Sequence, residues 1–129
     1  MSGAAILAVF GGAGVGALLR WALALLLNPV LAPIPLGTLA ANLVGGLLVG
    51  VASAFFGQHP ELAPEWRLLS VTGFLGGLTT FSTFSAEVVH LIGRQQYGWA
   101  LVTAGAHLAG SLALTAVGIA AAHALFARA

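Results

Sequence analysis

Between Arg20 and Glu61 the chain runs through forty consecutive residues without a formal charge, and further charge-free stretches occupy 1–19, 68–86 and 95–127. A soluble domain carries about 25% charged residues, whereas this chain of 129 residues carries 5% and is 60% hydrophobic. With a mean hydropathy of +1.05, its outer surface has to be compatible with hydrocarbon. A helix needs roughly 20 apolar residues to cross about 30 Å of bilayer core, so the length accommodates four such helices and not five. The chain reads as an all-α membrane protein forming a single domain, 1–129, with spans at about 4–27, 36–56, 68–92 and 98–126.

Prolines set the first turn. Asn28, Pro29, Pro33 and Pro35 interrupt the longest stretch, because proline lacks an amide donor and clashes with the preceding helical turn. The second connection, Gly57 to Arg67, holds Glu61, Glu65, Arg67, two prolines and Trp66 and belongs in water or headgroups. Gly93 to Tyr97 forms the third. The first 19 residues lack the basic leader of a cleaved signal peptide, so the first span is expected to be retained. Counting arginines near span ends puts Arg67 and Arg128 on one side and Arg20 and Arg94 on the other. Orientation follows that count, and here it is balanced, which leaves both a fixed orientation and insertion in both directions open.

Composition also removes whole classes of chemistry. There is no cysteine, and net charge is +1 without a basic run, so thiol chemistry is absent and nucleic acid is not an expected partner. His59, His90, His107 and His123 have no metal-ligand spacing, and no serine has a plausible histidine and carboxylate pair. An enzyme is not expected. The early glycines Gly12, Gly14 and Gly16 miss the dinucleotide fingerprint by one residue, and no acidic partner follows before Glu61.

Glycine is abundant instead, 18 residues in all, with Gly12 and Gly16, Gly46 and Gly50, and Ala41 and Gly45 four apart. Such pairs let helices approach closely, either inside one bundle or between subunits. The third span is the irregular one. Gly73, Gly76, Gly77 and six hydroxyl residues interrupt Thr72 to Ser85, which is compatible with a break near Gly76 to Thr80 or with a kinked continuous helix. A break at membrane depth is tolerated only where it is buried in protein or lines a wet cavity, and its carbonyls commonly hold a cation.

Phe81 and Phe84 share a face just beyond, with Ser82, Thr83 and Ser85 around them. They are either packing rings or ring edges offered to a small anion. Glu87 either pairs with His90 or sits at a pore mouth. Asn42, the amide of the second span, either joins helices or presents N–H donors to an anion. Arg20, about 24 Å along the first helix from residue 4, reaches the far interface or counters a buried charge. Thr103, His107, Ser111 and Thr115 form a polar stripe at steps of four on the last span, lining a path or bonding between helices.

Gly16 to Trp21, Gly37 to Gly45 and Gly73 to Ser85 closely resemble the signature motifs of the CrcB/Fluc family of fluoride channels, in order, across the first three spans. The fourth span is similar in length and hydropathy more than in residues. The resemblance implies an antiparallel, dual-topology homodimer in the prokaryotic cytoplasmic (inner) membrane, exporting cytoplasmic fluoride passively and so conferring resistance to it. It implies a structural sodium ion at the dimer centre on the backbone carbonyls of Gly76 and Thr79. The fluoride pathway would use Phe81, Phe84, Asn42, Ser82 and Thr83, with Glu87 near one end and Arg20 at the other. Thr103 and His107 stand where the family usually has tyrosine and serine, ahead of Ser111. A small four-span proton-coupled exporter is the transporter alternative, although no acidic residue precedes Glu61. A structural membrane subunit is the other, and ion flux separates it from the channel: in a structural subunit, replacing Phe81, Phe84 or Asn42 alters assembly and leaves flux untouched.

Overall fold

A computed structural model describes residues 1–126, and every described element is helical. Helix α1 (Gly3–Leu27) starts at Ser2, whose hydroxyl accepts the Ala5 amide at 3.1 Å, the usual way an orphan first-turn donor is satisfied. A 3-10 turn at Asn28–Val30 and the prolines then reverse the chain. Helix α2 (Leu36–Gln58) follows Pro35, which has no side-chain donor or acceptor to cap it. Asn28 does so from the turn, its Oδ1 accepting from the amides of Gly37 at 2.7 Å and Thr38 at 3.3 Å.

The third hydrophobic segment is built in pieces. Helix α3 (Pro64–Arg67) runs into a π-helical stretch, Leu68–Leu75, and then a short helix α4 (Gly76–Leu78). Ser70 donates its hydroxyl to the Trp66 carbonyl at 2.7 Å, occupying the acceptor that the Ser70 amide would take in an α-helix. Helix α5 (Phe81–Gly93) begins after Thr79 and Thr80, both extended. After a turn through Gln95, at φ 61°, the long helix α6 (Tyr97–Phe126) completes the described chain. Three helical stretches, Gly3–Val30, Leu36–Gln58 and Tyr97–Phe126, are each long and apolar enough to cross a membrane.

Two expectations need adjustment. The connection expected from Gly57 to Arg67 is shorter, because α2 continues to Gln58 and helix resumes at Pro64. The interruption expected over Gly76 to Thr80 is confined to Thr79 and Thr80, while both glycines stay helical. Gly77 serves close approach: a Cβ there would run into the backbone carbonyl of Ala13, whereas one on Gly76 would meet only ordinary contact distance. Arg128, part of the arginine count, lies outside the described residues.

Packing follows the glycines. Helix α1 lies against the π-helical stretch and α4 through Gly12 and Gly16, where an added Cβ would strike the backbone around Leu69, Phe74 and Leu78. Helix α2 lies against α6 through Gly46 and Gly50, opposite Ser111 and Thr115, while Gly118 accepts the backbone of α2 at Leu47. Both glycine pairs are therefore used inside the bundle. Ala41, Leu75 and Leu78 form the small buried core between the two helix pairs, with Leu23, Val49, Ala52 and Phe74 against it. Large apolar side chains such as Leu7, Phe10, Leu101 and Leu112 point outward, reversing the soluble pattern as a lipid solvent requires.

At the polar end, His59 Nδ1 lies 2.9 Å from Glu61 Oε1. A hydrogen bond from its own backbone and then one from His59 hold the exposed Glu61 carboxyl below the ordinary carboxylate range. Close backbone contact makes a sharp expectation for the glycines. Gly16→Ala or Gly50→Ala should destabilise the protein by about 1–3 kcal/mol through overpacking. Gly57→Ala, where a Cβ meets nothing within 4 Å, should be neutral in a thermal melt of the detergent-solubilised protein.

Candidate functional site

The two extended residues at the break leave backbone groups that helices α4 and α5 cannot satisfy. Asn42, in the second turn of α2, meets them reciprocally. Its Oδ1 accepts the Thr80 amide at 2.8 Å and its Nδ2 donates to the Thr80 carbonyl at 3.0 Å. The second Nδ2 hydrogen points at His107 Nδ1, 3.0 Å away on α6. One amide side chain thus joins the break to two other helices. Thr80 adds a cap, its Oγ1 accepting the Thr83 amide at 3.1 Å while donating to Thr83 Oγ1 at 3.2 Å.

These bonds have a second consequence. In a continuous helix the Thr80 amide would close on the Gly76 carbonyl and the Thr83 amide on the Thr79 carbonyl. Both amides are spent on side chains instead, which frees the carbonyls of Gly76 and Thr79 from their helical partners. Hard oxygen donors of this kind suit an alkali cation. Thr79 itself is tied back, its amide at 3.0 Å and its hydroxyl at 2.8 Å both donating to the Leu75 carbonyl. On the same side of the break, Arg20 Nε donates to the Gly77 carbonyl of α4 at 3.0 Å, placing a cation at a helix C-terminus as the macrodipole favours.

A cleft of about 440 Å³ opens beside the break. Asn42, Gly76, Thr79, Phe81, Phe84, His107 and Ser111 line it, together with Thr80 and Thr115. Phe81 is 76% exposed. The Phe81 and Phe84 rings meet edge to face at 5.5 Å, and Phe84 stacks on the His107 imidazole at 4.5 Å and 28°. Arg20, Ser82, Thr83, Glu87 and Thr103 are not among the lining residues.

Glu87 is not bonded to His90. Its Oε2 accepts from the Thr38 hydroxyl at 2.7 Å, and its Oε1 is buried without a partner. The polar stripe on α6 divides in two. Thr115 donates at 2.9 Å to the Gly46 carbonyl of α2, an interhelical bond, and at 2.9 Å to the Ser111 carbonyl one turn back on its own helix. Thr103 Oγ1 and His107 Nε2 are buried and unpartnered. Among the described residues no group of three or more histidine, aspartate or glutamate side chains could hold a metal. Sequence reasoning missed Thr80 as the hub and Thr38 as the partner of Glu87. Thr80 could have been found as a capping threonine three residues before Thr83, whereas nothing local pointed to Thr38.

Residues 7–119 match the family described as CrcB-like protein, Camphor Resistance (CrcB). The chain belongs to the CrcB family. The fluoride-specific ion channel FluC of Polynucleobacter asymbioticus is 63% identical to it over 114 residues, covering 88% of this chain and 91% of that one. The protein of the same name from Pseudomonas aeruginosa is 59% identical over 114 residues, with 88% and 90% covered. That from Burkholderia ambifaria is 56% identical over 124 residues, with 96% and 97% covered. These CrcB relatives bear the name of an ion channel and not of an enzyme, and with its long apolar helices this CrcB chain is a multi-pass membrane protein.

The amide clamp gives the site a stability signature. Asn42→Ala leaves the Thr80 N–H and C=O both unpaired, at about 1–3 kcal/mol each. A large fall in melting temperature is expected, against little change for Ser82→Ala, whose exposed hydroxyl makes only a 3.3 Å contact with Thr80.

Proposed function

We propose that this CrcB protein is a fluoride-selective channel that lets cytoplasmic fluoride leave a prokaryotic cell down its electrochemical gradient. One observation carries the reading: the break held open by Asn42, with the Phe81 and Phe84 edges beside it, lies in a chain 63% identical to a fluoride-specific ion channel. Fluoride is small and strongly hydrated, so a narrow path has to replace its water with several oriented donors. Neutral polar and aromatic ring-edge hydrogens do this without trapping the anion as a fixed cation would. An inside-negative potential favours anion exit by about 2.3 kcal/mol per 100 mV, so passive conduction is sufficient for export from the inner membrane.

The working unit is an antiparallel, dual-topology homodimer, with the broken segment as a fourth crossing. Two observations support it. The arginines near span ends are balanced between the two sides, which removes the usual bias in orientation. The cleft, with its freed carbonyls and threonines, also opens on the outer face of the single chain, where lipid cannot satisfy such groups. A second copy can cover it. The carbonyls of Gly76 and Thr79 would hold a structural sodium ion at the dimer centre, and that ion would supply positive potential to the site. Glu87, Arg20, Ser82, Thr83, Ser111 and Thr103 complete the assignment as pathway or flanking residues.

Liposomes loaded with fluoride and carrying the purified protein test the function directly. Rapid release to a fluoride electrode, little release of chloride, and at least a tenfold loss with Phe81→Ile are expected. No release from folded protein refutes the channel.

A further inference from the structure

Asn42 has no N–H left to offer. Its Oδ1 takes the Thr80 amide, so the orientation of the side-chain amide is fixed. One Nδ2 hydrogen then goes to the Thr80 carbonyl and the other to His107 Nδ1. Because Nδ1 accepts that bond, a neutral imidazole at this position carries its proton on Nε2. That Nε2–H is buried with no partner, in a residue only 3% exposed. One turn earlier on the same face of α6, the Thr103 hydroxyl is fully buried and equally unpartnered.

Two orphaned polar groups on one helical face are costly in a low-dielectric interior unless something binds them. The imidazole also lines the cleft, and Phe84 stacks on it and fixes its plane. Resting on the channel reading, we propose that His107, through Nε2–H, is the donor that binds the permeating fluoride, with Thr103 next along the path, and that Asn42 is a positioning residue that locks the imidazole tautomer. The resemblance to known channels gave the donor role to Asn42. The bonds that Asn42 makes here leave that role to the histidine. An imidazole N–H is neutral, directional and strong enough to replace a water of hydration, yet lacks the fixed charge that would retain the ion.

Nitrogen-15 histidine labelling of the full-length protein in bilayers tests this without relying on flux, His107 being identified by its loss in His107→Asn. An unprotonated Nδ1 and a protonated Nε2 that shifts with sodium fluoride, and not with sodium chloride, are expected. His107→Asn keeps a group near Nδ1 and removes the donor at Nε2, and should lower fluoride efflux by about tenfold or more, as loss of one hydrogen bond to a charged partner does. His107→Gln places an N–H near the position of Nε2 and should recover most of that efflux. A proton on Nδ1, an Nε2 signal indifferent to fluoride, or wild-type efflux from His107→Asn overturns the donor assignment while wild-type fluoride release keeps the channel. Absence of fluoride release from wild-type protein overturns the channel reading and the assignment with it.

Discussion

An interrupted helix in hydrocarbon exposes amides and carbonyls that no lipid can satisfy, and in this protein one side chain resolves that conflict. Asn42 acts as a surrogate backbone for Thr80, accepting its N–H and donating to its C=O. Because the Thr80 amide is diverted, the Gly76 carbonyl is released, and because Thr80 Oγ1 caps α5, so is that of Thr79. The third Asn42 contact, to His107, ties the same point to α6. The position of Phe84, stacked on that imidazole, depends in turn on where the clamp holds it.

Around this polar centre the bundle is assembled by absence of side chains more than by their bulk. Hydrophobic burial drives little between helices already in an apolar solvent, so dispersion between closely approaching backbones has to replace it. Helix α1 meets the third segment through Gly12, Gly16 and Gly77, and α2 meets α6 through Gly46, Gly50 and Gly118. The two glycine-packed pairs are joined by a small core around Ala41, Leu75 and Leu78. The break lies beside that joint, where α2 and α6 both reach it.

Hydropathy made much of the architecture legible. The first and second helices begin and end within two residues of the expected spans, and the fourth begins within one, because stretches without charges and proline turns are local signals. Glycine content misdirected the reading of the third segment. Gly76 and Gly77 weaken a helix in isolation, but here both stay helical, Gly77 in close contact with α1 at Ala13, and it is Thr79 and Thr80 that leave helical geometry. The polar pairings were not legible at all. Arg20 with Gly77, Thr38 with Glu87, and Asn42 with His107 join residues 57, 49 and 65 apart, and periodicity along one helix carries no information about a partner on another. The residue types of Asn42 and His107 were evident in the sequence, whereas their mutual saturation, which decides who is free to donate, is a property of the packed bundle.

The order of these partners along the chain bears on how the protein enters its membrane. Asn42 precedes Thr80 by 38 residues, so during synthesis the clamp is in place before the segment that needs it emerges. The break then enters hydrocarbon beside a waiting partner, and its two exposed peptide groups need not be buried unpaired at several kcal/mol. His107 follows later still, so the imidazole is the last member to dock, and the donor site comes into being only when the final helix is inserted.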